Sequence, residues 1–212
     1  MRRALAFAAS LLAAAPAAAN PVGFDGWTEQ RFSLFSSNDF AADGDALSVR
    51  SDGTVSLLWT ALPAAYAPAR NAAWSWAVDA SVPATDLTAR GGDDRNLALY
   101  FLFLPEAEAA AARDKSIKAL LEAENARVLM YVWGGDYAAG QILPTPYLGD
   151  RGRTVAMRKA GDGAARERVD LAADLARAFG EDPGALVGLA VSADSDDTDA
   201  RIVARIEGLT VE

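Results

Sequence analysis

The 212-residue sequence contains neither cysteine nor histidine. Without cysteine the chain must fold without disulfides, and cysteine nucleophiles and thiolate metal ligands are excluded. Without histidine it also lacks the most common general base, the usual zinc ligand and the Ser-His-Asp triad. Any catalysis or metal binding therefore depends on carboxylates, Lys, Tyr, Ser and Thr.

Basic residues and long apolar runs are also scarce. The 20 Lys and Arg residues stand against 29 Asp and Glu, and they form no cluster that would attract a phosphate backbone. Nucleic acid is therefore not an expected partner. After the first residues, charged side chains interrupt every apolar stretch before it reaches the roughly 20 residues of a membrane-spanning helix. The composition predicts one monomeric domain with a sizeable core.

The first 19 residues have the three parts of a secretory signal peptide. Arg2 and Arg3 form a positive start, an apolar run covers residues 4–15, and three alanines precede Asn20. This arrangement predicts cleavage before Asn20 and export of residues 20–212 as a single domain, to the periplasm or beyond. A leader that remains as a membrane anchor is the alternative, although the run is short for a bilayer.

Short apolar or alternating stretches separated by turn residues recur along the chain and predict about nine β-strands. The most apolar, residues 97–104, is typical of a strand buried on both faces. Two helices are predicted, in the Ala-, Glu- and Leu-rich residues 106–126 and over Leu171–Phe179, where Asp170 is the N-cap and Gly180 the stop. The pattern predicts a mainly β protein, an antiparallel β-sandwich of jelly-roll type with one or two peripheral helices.

One turn sequence predicts a specific strand pairing. The turn Ser51-Asp52-Gly53 lies between two strand-like segments, residues 46–50 and 54–62. Asp-Gly is a favoured pair in tight hairpin turns. These two segments are therefore predicted to pair as a β-hairpin.

Two strands carry pairs of large aromatic residues on a single face. Trp74 and Trp76 are separated by one small residue, and Tyr131 and Trp133 are separated by one valine, so the members of each pair point the same way. Such a pair can stack on a sugar or another flat ligand, because the ring is large and amphipathic. The four residues are therefore candidate ligand contacts, with packing in the core as the alternative.

Two acidic loops flank apolar strands, and we expect them to meet at one rim of the sandwich. Asp93 and Asp94 precede the most apolar strand, and residues 194–199 follow another. If the loops meet, Asp93 and Asp94 are candidate contacts to a ligand or to a shared metal. Alternatively they accept hydrogen bonds from their own turn, or Arg90 or Arg95 neutralises the second loop.

The second acidic loop has the composition of a calcium-binding loop. Asp194, Asp196, Asp197 and Thr198 place oxygen donors at close spacing, and oxygen atoms are the ligands of Ca²⁺. The loop is not an EF-hand, because Asp199 occupies the position that requires glycine. A Ca²⁺ site at these four residues is the prediction, and a solvated turn is the alternative.

Five segments stand out by their order and spacing. They are Trp74-Ser75-Trp76, Arg90-Gly91-Gly92-Asp93-Asp94, Met130-Tyr131-Val132-Trp133-Gly134, Phe179-Gly180-Glu181-Asp182-Pro183 and Asp194-Ser195-Asp196-Asp197-Thr198. Together the segments resemble the bacterial domain-of-unknown-function 3047 family over about residues 24–212. The resemblance implies an exported single-domain protein, a β-sandwich similar to galactose-binding-like modules, with no established activity. The sequence departs from the family in a longer segment at 106–126 and in the absence of tryptophan from 161–169.

The function expected from the sequence is that of a non-catalytic binding module for a glycan or another envelope component, an expectation that draws on fold-level analogy. No catalytic residue is assigned. A carboxylate-dependent glycoside hydrolase of envelope polysaccharide is one alternative, and it would need a carboxylate from each acidic loop. A structural or assembly partner in the cell envelope is the other. Ca²⁺ is the one cofactor considered.

Overall fold

The computed structural model describes residues 19–34, 36–112, 115–180 and 184–212. The segment predicted as a signal peptide lies outside these residues, apart from its last alanine. The segment at 179–183 that contributes to the family resemblance also lies partly outside them. Among the described residues, no helix is long and apolar enough to cross a membrane.

The described residues form thirteen strands and three α-helices. The strands are β1 (Asn20–Pro21), β2 (Thr28–Arg31), β3 (Asp39–Asp43), β4 (Ala46–Asp52), β5 (Val55–Ala61), β6 (Asn71–Ala80), β7 (Arg95–Leu104), β8 (Arg127–Trp133), β9 (Ile142–Thr145), β10 (Gly149–Arg158), β11 (Gly163–Asp170), β12 (Ala185–Asp194) and β13 (Arg201–Val211). The helices are α1 (Glu106–Ala112), α2 (Ile117–Leu121) and α3 (Leu171–Phe179).

The strands form two sheets that pack face to face. The six-stranded sheet has the order β11-β6-β13-β4-β3, and β1 also pairs with β13. The seven-stranded sheet has the order β2-β5-β12-β7-β8-β10-β9. Within the described residues the pairings are antiparallel except for the parallel pair of β8 with β10. The predicted fold, a mainly β jelly-roll sandwich with peripheral helices, is confirmed.

The core between the sheets contains the aromatic residues that were candidate ligand contacts. Trp74, Trp76, Tyr131 and Trp133 are each exposed by 4% or less. Their rings pack on one another, with centroid distances of 5.4 Å between Trp74 and Trp76 and 5.6 Å between Trp76 and Trp133. Neighbouring rings cover their faces, so these residues cannot stack on a ligand. The prediction that they contact a ligand is wrong, and the alternative of core packing applies.

The first predicted helix differs from the structure and the second agrees with it. Instead of one helix over residues 106–126, two short helices form, and Ser116 caps α2 by accepting a hydrogen bond from the amide of Ala119. Helix α3 has its predicted bounds. Asp170 accepts a hydrogen bond from the amide of Ala173 at 2.9 Å, and Gly180 adopts the left-handed conformation that ends the helix.

The predicted hairpin at Asp52-Gly53 is wrong. Strand β4 pairs with β3 and β13 in the six-stranded sheet, whereas β5 pairs with β2 and β12 in the seven-stranded sheet. The turn therefore crosses between the sheets. A second crossing, residues 195–200 between β12 and β13, lies directly beside it, since the amide of Ser195 donates to the carbonyl of Thr54 at 3.1 Å.

These crossings define one end of the sandwich, here termed the acidic end, made by residues 53–54, 81–94 and 195–200. The starts of β5, β7 and β13 and the ends of β4, β6 and β12 meet there. Both acidic loops of the sequence belong to this end. The expectation that they meet at one rim is confirmed by the hydrogen bonds described below.

Candidate functional site

A cavity of about 450 Å³ lies on the outer face of the seven-stranded sheet. Its apolar floor comes from side chains of central strands that alternate with core residues: Leu57, Leu102, Val128, Met130, Val132 and Ala190. Ile117 and Leu121 of α2 line one side, and Leu87 and Leu148 lie elsewhere in the lining. Helix α2 thus turns the outer face of this sheet into a partly open, largely aliphatic space.

The part of the lining nearest the acidic end is polar and tied together by Arg95. Nη1 of Arg95 donates to Oδ2 of Asp93 and to Oδ2 of Asp194, both at 3.0 Å. Nη2 of Arg95 donates to the hydroxyl of Tyr100 at 3.1 Å, and that hydroxyl lies 2.9 Å from the hydroxyl of Ser192. The side chains of Arg95, Asp93 and Asp194 are exposed by 12%, 5% and 9%. The polar end is therefore a buried network centred on one cation.

Two buried polar atoms of this network lack a hydrogen-bond partner among the described residues. They are Oδ1 of Asp194 and Nε of Arg95. Burial raises the pKa of Asp194 to about 8; Arg95 opposes this shift, and the neighbouring carboxylates of Asp196 and Asp94 add to it. An unpaired buried polar atom costs about 1–3 kcal/mol, so the polar end is suited to receive a ligand atom or an ion.

Asp94 joins the two acidic loops. Its Oδ2 accepts hydrogen bonds from the amide of Thr198 at 2.8 Å and from the hydroxyl of Thr198 at 2.5 Å. Its Oδ1 accepts from the amide of Asp197 at 3.3 Å. Asp94 is completely buried. Its donors are therefore groups of the second acidic loop and not, as in the structural alternative for the acidic pair, amides of its own turn.

The residues predicted to bind Ca²⁺ are divided by the structure. Oxygen atoms of Asp196 and Asp197 lie within 4.8 Å of each other and of an oxygen of Asp94. Asp194 instead pairs with Arg95, and the hydroxyl of Thr198 donates to Asp94. The group of carboxylates that can share a cation is therefore Asp94, Asp196 and Asp197.

Several residues of the site are absent from the sequence-based predictions. Tyr147, whose side chain is 54% exposed at the edge of the cavity, donates to Oδ1 of Asp93 at 3.2 Å. Phe32, which is 63% exposed, is a second aromatic residue in the lining. Tyr100 and Ser192 are polar residues inside apolar strands. A hydroxyl in an apolar strand could have indicated a buried polar site from the sequence, because a buried hydroxyl must find a hydrogen-bond partner.

The fold places this chain among mainly β jelly-roll sandwiches. The family of proteins of unknown function DUF3047 matches residues 25–210, and the chain belongs to that family. A comparison with curated proteins gave no match.

Solved structures with a similar arrangement of strands include two glycan-degrading proteins. The xyloglucanase domain of NopAA, a type three effector from Sinorhizobium fredii, is similar over 88% of this chain and 92% of that chain, with a TM-score of 0.47 and 8% identity. The family 11 xylanase from Neocallimastix patriciarum is similar over 90% of this chain and 97% of that chain, with a TM-score of 0.40 and 12% identity. At these TM-scores the likeness supports no inference about function.

Proposed function

We propose that this protein is an exported, non-catalytic binding module that holds a small amphipathic envelope component in the cavity of the seven-stranded sheet. The observation that carries the proposal is the division of the cavity into an aliphatic floor and a polar end with unpaired atoms. Its volume of about 450 Å³ lies within the roughly 300–1,000 Å³ of small-molecule sites.

The lining favours an aliphatic ligand over a free glycan. A glycan, one of the two ligand classes expected from the sequence, would require hydrogen bonds along its length. It would also stack on aromatic ring faces, and those of Trp74 and Trp76 are buried in the core. The cavity instead offers leucine, valine, isoleucine and methionine side chains. Each methylene buried against such a surface contributes about 0.8 kcal/mol, so an alkyl chain supplies the main part of the affinity.

The polar end favours a head group that donates hydrogen bonds. Asp93, Asp194 and Asp196 line it, and Arg95 is already shared between Asp93 and Asp194. These carboxylates outnumber the one guanidinium group, that of Arg95. An anionic head group is therefore repelled unless a further positive charge lies between them. A hydroxyl or an ammonium group instead donates to the carboxylates that line this end.

A binding role explains the geometry better than glycoside hydrolysis. A retaining or inverting hydrolase places its two carboxyl groups on either side of the scissile bond. Asp93 and Asp194 both bind the same nitrogen of Arg95, so this side chain occupies the space between them. Asp93 is therefore arranged to hold Arg95. Asp94, which meets Asp196 and Asp197, is completely buried, and both of its oxygens accept hydrogen bonds from the second loop.

The test is isothermal titration calorimetry of the purified protein, in chelator, with decylamine, decanol, decanoate and cellotetraose below their micellar or solubility limits. We expect decylamine and decanol to bind, decanoate to bind at least about tenfold more weakly, and cellotetraose to show no heat. Ala190→Leu, which fills the floor of the cavity, should weaken the alkyl ligands at least about tenfold.

The matched control is Ala77→Leu, the same substitution on the outer face of the six-stranded sheet, where Ala77 lines a separate shallow depression. It should leave the affinities unchanged. Binding of cellotetraose that Ala190→Leu does not affect, or no binding of either decyl compound, contradicts the proposal.

A further inference from the structure

We propose that the acidic end binds one divalent cation, with Ca²⁺ as the best fit, through the carboxylates of Asp94, Asp196 and Asp197. The site lies beside the cavity, since Asp196 also lines it. The inference shares the carboxylates of Asp194 and Asp196 with the proposed function, but it does not depend on the aliphatic floor.

The spacing of the three oxygen atoms suits Ca²⁺. Each lies within 4.8 Å of the others. Calcium–oxygen distances are about 2.3–2.6 Å, so one Ca²⁺ reaches oxygens up to about 4.6–5.2 Å apart. Mg²⁺ demands near-ideal octahedral geometry at about 2.0–2.1 Å and gives up its bound waters reluctantly, so it is the poorer fit to a site made of protein carboxylates. An all-oxygen donor set is also the set that hard cations prefer.

A second observation at the same place is the buried oxygen of Asp194. The residue is 7% exposed, its Oδ2 is bonded to Arg95, and its Oδ1 has no partner among the described residues. The carboxylate of Asp196 lies beside it. A cation bound by Asp196 compensates both groups, directly or through a bound water.

The local charges leave room for a cation. Five carboxylates meet here, those of Asp93, Asp94, Asp194, Asp196 and Asp197. Arg95 pairs with Asp93 and Asp194. Within the described ranges, no Lys or Arg forms an ion pair with Asp94, Asp196 or Asp197. Their mutual repulsion is therefore uncompensated by protein charge, and a divalent ion relieves it.

The loop that supplies two of the ligands is already ordered for this role. The amides of Asp197 and Thr198 are bonded to Asp94, and Asp199 takes a left-handed conformation, with φ of 52°. The adjoining crossing is fixed by Ser51 and Ser195, whose hydroxyls are 2.7 Å apart. Binding therefore requires little rearrangement, which favours affinity.

The test is thermal unfolding and calorimetric titration of the chelator-treated protein with CaCl₂ and, separately, MgCl₂ at about 0.15 M NaCl. We expect one Ca²⁺ per chain, a midpoint raised by about 5 °C or more at saturating Ca²⁺, and weaker Mg²⁺ binding. Asp196→Asn and Asp197→Asn should each weaken Ca²⁺ binding at least about tenfold. Both side chains are exposed, so the variants should fold, and in chelator they should unfold at or above the midpoint of the original protein.

Asp162→Asn is the control, because it removes the same charge from an exposed turn that contributes none of the three carboxylates. It should retain the Ca²⁺ response, as should Ala190→Leu. Absence of Ca²⁺ binding, or an equal response in Asp162→Asn and Asp197→Asn, overturns the proposal. If the original protein binds Ca²⁺ but does not bind decylamine, the proposed function alone is contradicted.

Discussion

Asp94 accepts two hydrogen bonds from Thr198, at 2.8 Å from its amide and 2.5 Å from its hydroxyl, across 104 residues of sequence. The contact joins the segment that leads into β7 to the crossing between β12 and β13. Because Asp94 is fully buried, these bonds satisfy a charge that would otherwise be costly in the interior. The pair therefore holds together the end of the sandwich where the cavity has its polar groups.

Thr198→Val tests this contact with little change in shape. The substitution removes the hydroxyl that donates to Asp94 and leaves the amide bond in place. Bonds to charged groups contribute about 1.5–3 kcal/mol, and Thr198 is half-buried, so we expect a loss of about 1–2 kcal/mol in the free energy of unfolding. Urea denaturation measures the loss, and faster hydrogen exchange of the Thr198 amide should accompany it. Thr88→Val, in an exposed turn, is the control and should change stability by less than about 0.5 kcal/mol.

The meeting of the two acidic loops was predictable from sequence, while the cavity beside them was not. Acidic residues at the ends of two apolar strands must lie at sheet rims, and the strands happen to be neighbours, as β7 and β12. The cavity depends on where α2 lies and on which face of each strand points outward. Leu102 and Met130 have the composition of core residues, and nothing local distinguishes the outer face from the core.

Arg95→Met tests whether the polar end depends on its single cation. The change leaves the buried carboxylates of Asp93 and Asp194 without their partner, and breaking such a pair typically costs about 3–5 kcal/mol. Adding Asp194→Asn should recover part of that loss, because it removes one of the unpaired charges. Denaturant unfolding in chelator measures both variants.

The control for Arg95 is Arg205→Met, since Arg205 pairs with Glu207 where both side chains are about half exposed. Exposed pairs contribute about 0–1 kcal/mol, so the loss there should be small. Similar losses for Arg95→Met and Arg205→Met would show that the buried network is not the source of the stability.

The hairpin error and the aromatic residues show which information was missing from the sequence. The pair Asp52-Gly53 does form a tight connection, but hairpins and crossings between sheets use the same turn residues. In β5 both Leu57 and Leu58 are buried, on opposite faces, which requires the interior of a sheet. The alternation of residues shows that Trp74 and Trp76 share one face of the strand. Tertiary packing decides whether that face meets the other sheet or solvent.

Trp76→Ala tests the corrected role of the aromatic residues. The ring is 2% exposed, and its Nε1 donates to Oε1 of Glu167 at 3.1 Å. Truncating a buried tryptophan costs about 3–5 kcal/mol, so the midpoint of denaturation should fall sharply while the affinity for decylamine stays within about twofold. Weakened ligand binding with nearly unchanged stability would instead favour a ligand surface. Trp59→Ala, at a partly buried position on the outer face of β5, should cost less.

Tyr131→Phe tests, through the pH dependence of stability, the buried hydrogen bond between Tyr131 and Asp174. The hydroxyl of Tyr131 donates to Oδ2 of Asp174 at 2.7 Å. Burial raises the pKa of Tyr131 far above its ordinary value of about 10, and the charge of Asp174 raises it further. The neutral phenol is therefore favoured in the folded protein, and its contribution to stability is complete below about pH 10. Above that pH the unfolded chain releases the proton, so this contribution declines by up to about 1.4 kcal/mol per pH unit.

At pH 7 the variant should be about 1–2 kcal/mol less stable, because the bond to Asp174 is lost. As the pH rises from 9 to 11 the difference should shrink by about 1.4 kcal/mol, which urea unfolding at several pH values can follow. A difference that stays constant over this range would mean that Tyr131 ionises as easily in the folded protein as in the unfolded chain, and its buried bond to Asp174 would then not hold in solution.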